Sequence, residues 1–136
     1  MKKVSTITKN KTTKKPAKVL LGETFTLDAS SQSLGRIASV AAKLLRGKNS
    51  PSFQPNLAPV NKVVINSAGK LKISEKKALQ KTYFRHTGYP GNAKSPTLAQ
   101  VVSKKGNREV LRVAIRGMLP ANRLRAIALK NLTINE

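Results

Sequence analysis

Arg108, Arg112 and Arg116 recur at every fourth position. On a helix that spacing makes one ridge, with about 6 Å between neighbours. Successive phosphates on a nucleic-acid strand are similarly separated, and a planar guanidinium matches two phosphate oxygens in a bidentate fork. The competing account is a solubilising face on which Glu109 partly neutralises Arg112. A second group surrounds Tyr83. On a strand, Lys81, Tyr83, Arg85 and Thr87 share one face, and Thr82, Phe84 and His86 share the other. An aromatic ring among cations combines base stacking with phosphate contact. The plainer account puts Phe84 in the core with Tyr83 at its edge, and for Phe84 it is preferred. His86 is the one imidazole of the chain. General-base catalysis would require an orienting partner and a nucleophile. Asp28, Glu75 and Glu109 stand far apart in sequence, so a base-edge or phosphate contact is expected of His86 instead.

The segment Gly88-Tyr89-Pro90-Gly91-Asn92-Ala93-Lys94-Ser95 nearly spells a phosphate-binding P-loop. That motif requires glycine immediately before the Lys-Ser pair, where the backbone wraps the phosphate. Ala93 occupies the position, Pro96 removes a backbone donor where the motif's helix would begin, and no second acid is at hand for magnesium. The segment is read as a turn in which the bare backbone of Gly88 and Gly91, with Lys94 and Ser95, approaches an RNA backbone closely.

The elements that must position these residues follow from periodicity. Phe25, Leu27 and Ala29 alternate with polar residues as a short strand. Leu34, Ile37, Ala38, Ala41, Leu44 and Leu45 form one stripe of a helix from Leu34 to Arg46, capped by Ser33 and stopped by Gly47. Arg36, Lys43 and Arg46 lie off the stripe, with Lys48 just beyond, and no acid in this segment offsets them. Pro51, Pro55 and Pro59 make residues 49–60 an extended loop. Val63, Val64 and Ile65 read as a strand buried on both faces. Leu71 to Ser74 and Lys81 to Thr87 read as further strands. Ser95-Pro96 opens a short helix to about Lys104, and Asn107 caps another reaching Met118, with Val110, Leu111, Ala114 and Met118 facing the core. Asn122 opens a last helix, and Leu132 to Ile134 close as a strand. Alternating strands and helices predict a layered α/β domain.

Composition narrows the function. The chain has 136 residues, with 27 Lys plus Arg against 5 Asp plus Glu, a net charge of +22. The length suits one domain, and an apolar fraction of 39% is enough for a modest core. No apolar run approaches the roughly 18–20 residues of a membrane span. The absence of cysteine removes disulfides, thiolate metal sites and Cys nucleophiles. So lopsided a charge repels itself unless a polyanion offsets it, and nucleic acid is the leading candidate. Residues 1–22 carry seven lysines and no acid, and are expected to be a flexible, disordered basic extension to a domain over residues 23–136. A nucleic-acid arm, an organellar transit peptide and a solvated end are the accounts of it. The transit reading fits least, because such peptides favour Arg and an amphipathic helix.

Leu34-Gly35-Arg36, Leu44-Leu45-Arg46-Gly47-Lys48, Val64-Ile65-Asn66, Tyr83-Phe84-Arg85-His86-Thr87-Gly88-Tyr89-Pro90-Gly91 and Arg116-Gly117-Met118-Leu119-Pro120 occur in this order. Together they resemble the bacterial type of the large-subunit ribosomal protein thirteen family, over a stretch from about Phe25 to Leu132. The resemblance implies a three-layer α/β/α single domain around a small, mainly parallel sheet. It also implies a structural constituent of the large ribosomal subunit that binds and stabilises ribosomal RNA and supports assembly. Implied partners are large-subunit ribosomal RNA and neighbouring large-subunit proteins, with no enzymatic activity, cofactor, metal, membrane or small-molecule substrate. The compartment would be the cytoplasm, within the ribosome, an organellar ribosome being the alternative. Arg36, Arg46, Lys48, Arg85, His86, Gly88, Gly91, Arg116 and Gly117 fall on matching positions. The chain departs from the family at Asn56-Leu57-Ala58-Pro59-Val60-Asn61, which lacks the usual His and Asp. It departs again at Leu124-Arg125-Ala126, where the family has Leu-Gly-Arg and a different local backbone is expected.

Residues and resemblance together predict three RNA-facing groups. They are Arg36, Lys43, Arg46 and Lys48; Lys81, Tyr83, Arg85, His86 and Lys94 with Gly88 and Gly91; and Arg108, Arg112, Arg116, Arg123 and Arg125. The alternative function is a general nucleic-acid-compacting or DNA-binding regulatory protein, which the charge fits equally well. No helix-turn-helix pattern supports it. A nucleotide-dependent enzyme would rest on the failed P-loop alone.

Overall fold

The computed structural model describes residues 22–136, so the basic extension expected over residues 1–22 lies, apart from Gly22, outside the described residues. Strand β1 (Thr24–Asp28) leads into helix α1 (Leu34–Leu45), and β2 (Lys62–Asn66) follows the proline-rich loop. Helix α2 (Glu75–Gln80), the short strands β3 (Arg85–His86) and β4 (Ala93–Lys94), α3 (Leu98–Met118), α4 (Leu124–Lys130) and β5 (Leu132–Ile134) complete the order. The sheet is parallel throughout, in the order β1-β2-β5. This is the expected α/β domain around a small parallel sheet. Its central position explains why β2 is the most apolar strand: Val63 and Ile65 are fully buried and Val64 partly so. They pair with Phe25 and Leu27 on one side and with Leu132 and Ile134 on the other. Parallel neighbours require long crossovers, and everything from residue 67 to 131 lies in the second one.

The α1 stripe buries Leu34, Ile37, Ala38, Ala41 and Leu45 against the sheet and α3. Gly47 takes φ +74 and stops the helix as expected, its N–H donating to the Leu44 carbonyl at 2.9 Å. Ser33 has the extended backbone of a cap, yet its side chain makes no capping bond. Each large apolar side chain fully buried here, such as Ile37, Leu45, Leu111 or Ile115, contributes about 1.5–3 kcal/mol.

Besides the strand expected over Lys81 to Thr87, which shrinks to Arg85–His86 with an isolated bridge at Thr82, four expectations change. Leu71 to Ser74 forms no strand beyond a single bridge of Lys72 to Ser33. The helix-favouring run Glu75–Gln80 folds as α2 instead. Helix α3 is capped by Thr97 rather than Ser95. Its hydroxyl accepts from the Gln100 N–H, and the Gln100 side chain accepts from the Thr97 N–H, a reciprocal box. The helix begins late because Pro96 is held in an antiparallel pairing, its carbonyl accepting the Tyr83 N–H at 2.9 Å. The break expected before Asn107 is present at Gly106, with φ 75 and ψ 174. Beyond it, however, Ile115 is buried and Met118 is exposed. Asn107 does not cap its helix; its Nδ2 donates across to the Gly69 carbonyl at 3.1 Å. Phe84 is the fourth, 71% exposed rather than in the core.

Candidate nucleic-acid interface

The C-terminal half of α3 and helix α4 enclose an open groove. Arg112 and Arg116 project from one wall and Arg123 and Arg125 from the other, with Glu109 the one carboxylate among the lining residues. The wall angle is fixed locally. Leu119 is buried and Pro120 cannot continue α3, so the chain turns there. The Asn122 side-chain oxygen then accepts the Arg125 N–H at 3.1 Å and starts α4, as the sequence predicts. Arg125 occupies a helical position inside α4. Arg108 stands on the same exposed ridge but outside the groove. Four guanidiniums facing one concave surface repel one another and offer planar donor forks to phosphate oxygens.

The α1 group is divided. Arg36 and Lys43 lie on its exposed face with Val40 between them, and Lys48 is exposed beyond it. Arg46 instead turns its guanidinium over the Phe53 ring, 5.5 Å from the centroid, and is half-buried. It lines a cleft whose far wall includes Asn122 and Arg125. Asn122 and Arg125 border both this cleft and the α3–α4 groove, but Arg46 does not line the groove itself.

The hairpin group is brought together by pairing. Arg85 is opposite Lys94 and His86 opposite Ala93, and all four are exposed. Lys94 lies in a strand and not at a helix entrance, so the segment has no P-loop geometry. His86 Nδ1 accepts the Gly88 N–H at 3.0 Å. Gly88 and Gly91 both take positive φ at the turn. Tyr83 packs partly against the core, where burial pushes its phenol pKa up. Lys81 reaches over its ring at 5.5 Å. Lys77, one helical turn earlier, lines the same concavity, with Gly35 and Met118 opposite. Sequence reasoning passed over Lys77 because α2 was not expected; the i, i+4 spacing of Lys77 and Lys81 was the available signal.

Among the described residues, no group of three or more His, Cys, Asp or Glu could hold a metal ion, and no helix is long and apolar enough to cross a membrane. The family model described as ribosomal protein L13 matches residues 22–136. A protein of Symbiobacterium thermophilum is 44% identical over 100 residues, covering 74% of this chain and 69% of its own length. One of a Synechococcus species is 43% identical over 115 residues, 85% of this chain and 76% of the relative. One of Aquifex aeolicus is 41% identical over 110 residues, 81% of this chain and 76% of the relative. All three carry the name large ribosomal subunit protein uL13.

Proposed function

The chain belongs to the ribosomal protein L13 family, and from that premise we propose that it binds and stabilises large-subunit ribosomal RNA and supports assembly of the subunit. The family is a structural component of the ribosome and not an enzyme. The observation that carries the RNA reading is the α3–α4 groove, where four arginines face one another across a surface with a single carboxylate. An anion between the walls relieves the repulsion within such an arrangement, and a folded ribose-phosphate backbone supplies anions at matching spacing. Arg108, Arg36, Lys43 and Lys48 would extend the contact outside the groove. The partners are ribosomal RNA and neighbouring large-subunit proteins, and the place of work is the ribosome in the cytoplasm.

Competition between large-subunit ribosomal RNA and duplex DNA of equal length tests the reading. Preference for the ribosomal RNA is expected, together with co-sedimentation with the large subunit after a high-salt wash. Equal affinity for both polymers would favour a general compacting protein, and absence from the large-subunit fraction would overturn the ribosomal role.

A further inference from the structure

The chain has five aromatic side chains, three Phe and two Tyr. Phe25 and Tyr83 pack against the core, and Phe53 lies beneath Arg46. The remaining two, Phe84 and Tyr89, are 71% and 73% exposed, and both belong to the hairpin built on β3 and β4. Two rings left in water on one small projection contribute nothing to the core and mark a contact surface.

Charge selects the partner. Residues 81–97 contain Lys81, Arg85, His86 and Lys94 and no Asp or Glu. Arg85 and Lys94 are direct cross-strand partners, a placement in which like charges oppose pairing. Strands of two residues have little ladder energy to offset that repulsion. An apolar protein surface would cover the rings and leave the repulsion in place, whereas a nucleic-acid strand relieves both. The turn is already ordered for contact. Asn92 Nδ2 donates to Thr87 Oγ1 at 2.9 Å, and the Gly88 N–H occupies His86 Nδ1. That bond leaves Nε2 as the ring nitrogen open to a partner. A side chain placed at Gly88 or Gly91 would meet nothing within 4 Å, so the turn backbone is open to approach.

We propose that this hairpin grips unpaired RNA: exposed nucleobases stack on Phe84 and Tyr89 while Arg85 and Lys94 neutralise backbone phosphates. Base faces are hidden inside a duplex, so rings of this kind recognise nucleotides that are splayed out or single-stranded. The proposal rests on the RNA-binding reading above and adds the conformation of the RNA that the hairpin takes.

Binding of the full chain to a short single-stranded RNA and to an RNA duplex of equal length tests it. The proteins are the wild type, Phe84→Ala with Tyr89→Ala, and Phe84→Leu with Tyr89→Leu. Both double variants should bind the single strand about tenfold or more weakly and the duplex as well as the wild type does. The salt dependence should not change, because stacking releases no counterions. Circular dichroism melting should show the fold intact, since neither ring is in the core. Retention by the leucine pair would overturn stacking, and undiminished single-strand binding by both pairs would overturn the hairpin's role while leaving charge-driven RNA binding in place. Failure of the wild type to bind either RNA would remove the RNA-binding reading itself.

Discussion

Arg46 and Arg116 stand on or beside helix ends and carry the same charge, but their surroundings assign them different work. Arg116 is exposed on the groove wall, and removing its charge leaves packing untouched. Arg112→Glu with Arg116→Glu should leave the melting temperature at or above wild type, because it removes like-charge repulsion from the groove. Binding to ribosomal RNA should weaken, and the log–log salt slope should fall by about two, near one per lost phosphate contact. Arg46 spends its guanidinium on the Phe53 ring. Arg46→Ala should therefore destabilise the domain by about 0.5–1 kcal/mol in denaturant unfolding, with little effect on that slope. Asp28 gives a third test. The Ser30 N–H at 3.1 Å, and then the Ser30 hydroxyl at 2.9 Å, hold its carboxyl below the ordinary 3.8. A depressed folded-state pKa contributes stability that is complete above the unfolded value and is lost as pH falls through the folded one. Carboxyl-carbon NMR should place the midpoint below 3.8, and Ser30→Ala should raise it part of the way back.

Among the elements, the α3 break has the clearest cost. Gly106 combines φ 75 with ψ 174, a region open essentially to glycine alone, and forcing another residue there costs about 1–3 kcal/mol. Gly106→Ala should lower unfolding stability by that amount. RNA affinity should hold wherever the protein remains folded, since Gly106 lies outside the groove. This break was legible in the sequence because glycine and asparagine interrupt two apolar stripes. So were α1, whose stripe is continuous, and β2, whose β-branched run has the centre of the sheet to fill. Helix α2 was not legible: none of its residues is fully buried, so it leaves no apolar stripe to read. Phe84 was misplaced for a related reason. Alternation assigns residues to two faces but not which face meets the core, and Tyr83 took the inner one. The arginine ridge of α3 could be read from its spacing. Its convergence with Arg123 and Arg125 depended on the turn at Pro120, a tertiary feature with no periodic trace.

For the molecule as a whole, 27 cations against 5 acids make salt act in opposite directions on the free and the bound protein. In the free chain, the groove arginines and the Arg85–Lys94 pair repel through solvent. Ions screen such exposed charges over a Debye length of about 10 Å at 0.1 M. Added salt should therefore raise the melting temperature of the isolated protein. On RNA the same residues displace condensed counterions, and returning those ions to concentrated solution is what salt makes unfavourable. If roughly 6–10 phosphates are engaged, affinity should fall by about 10³–10⁵ between 50 and 200 mM salt. Melting curves and binding isotherms collected over one salt series measure both effects. A protein held together chiefly by ion pairs would lose stability as it lost affinity. One whose cations await an external anion should gain the first while losing the second, so a flat binding curve, or a melting temperature that falls with salt, would show that the charge is balanced within the fold.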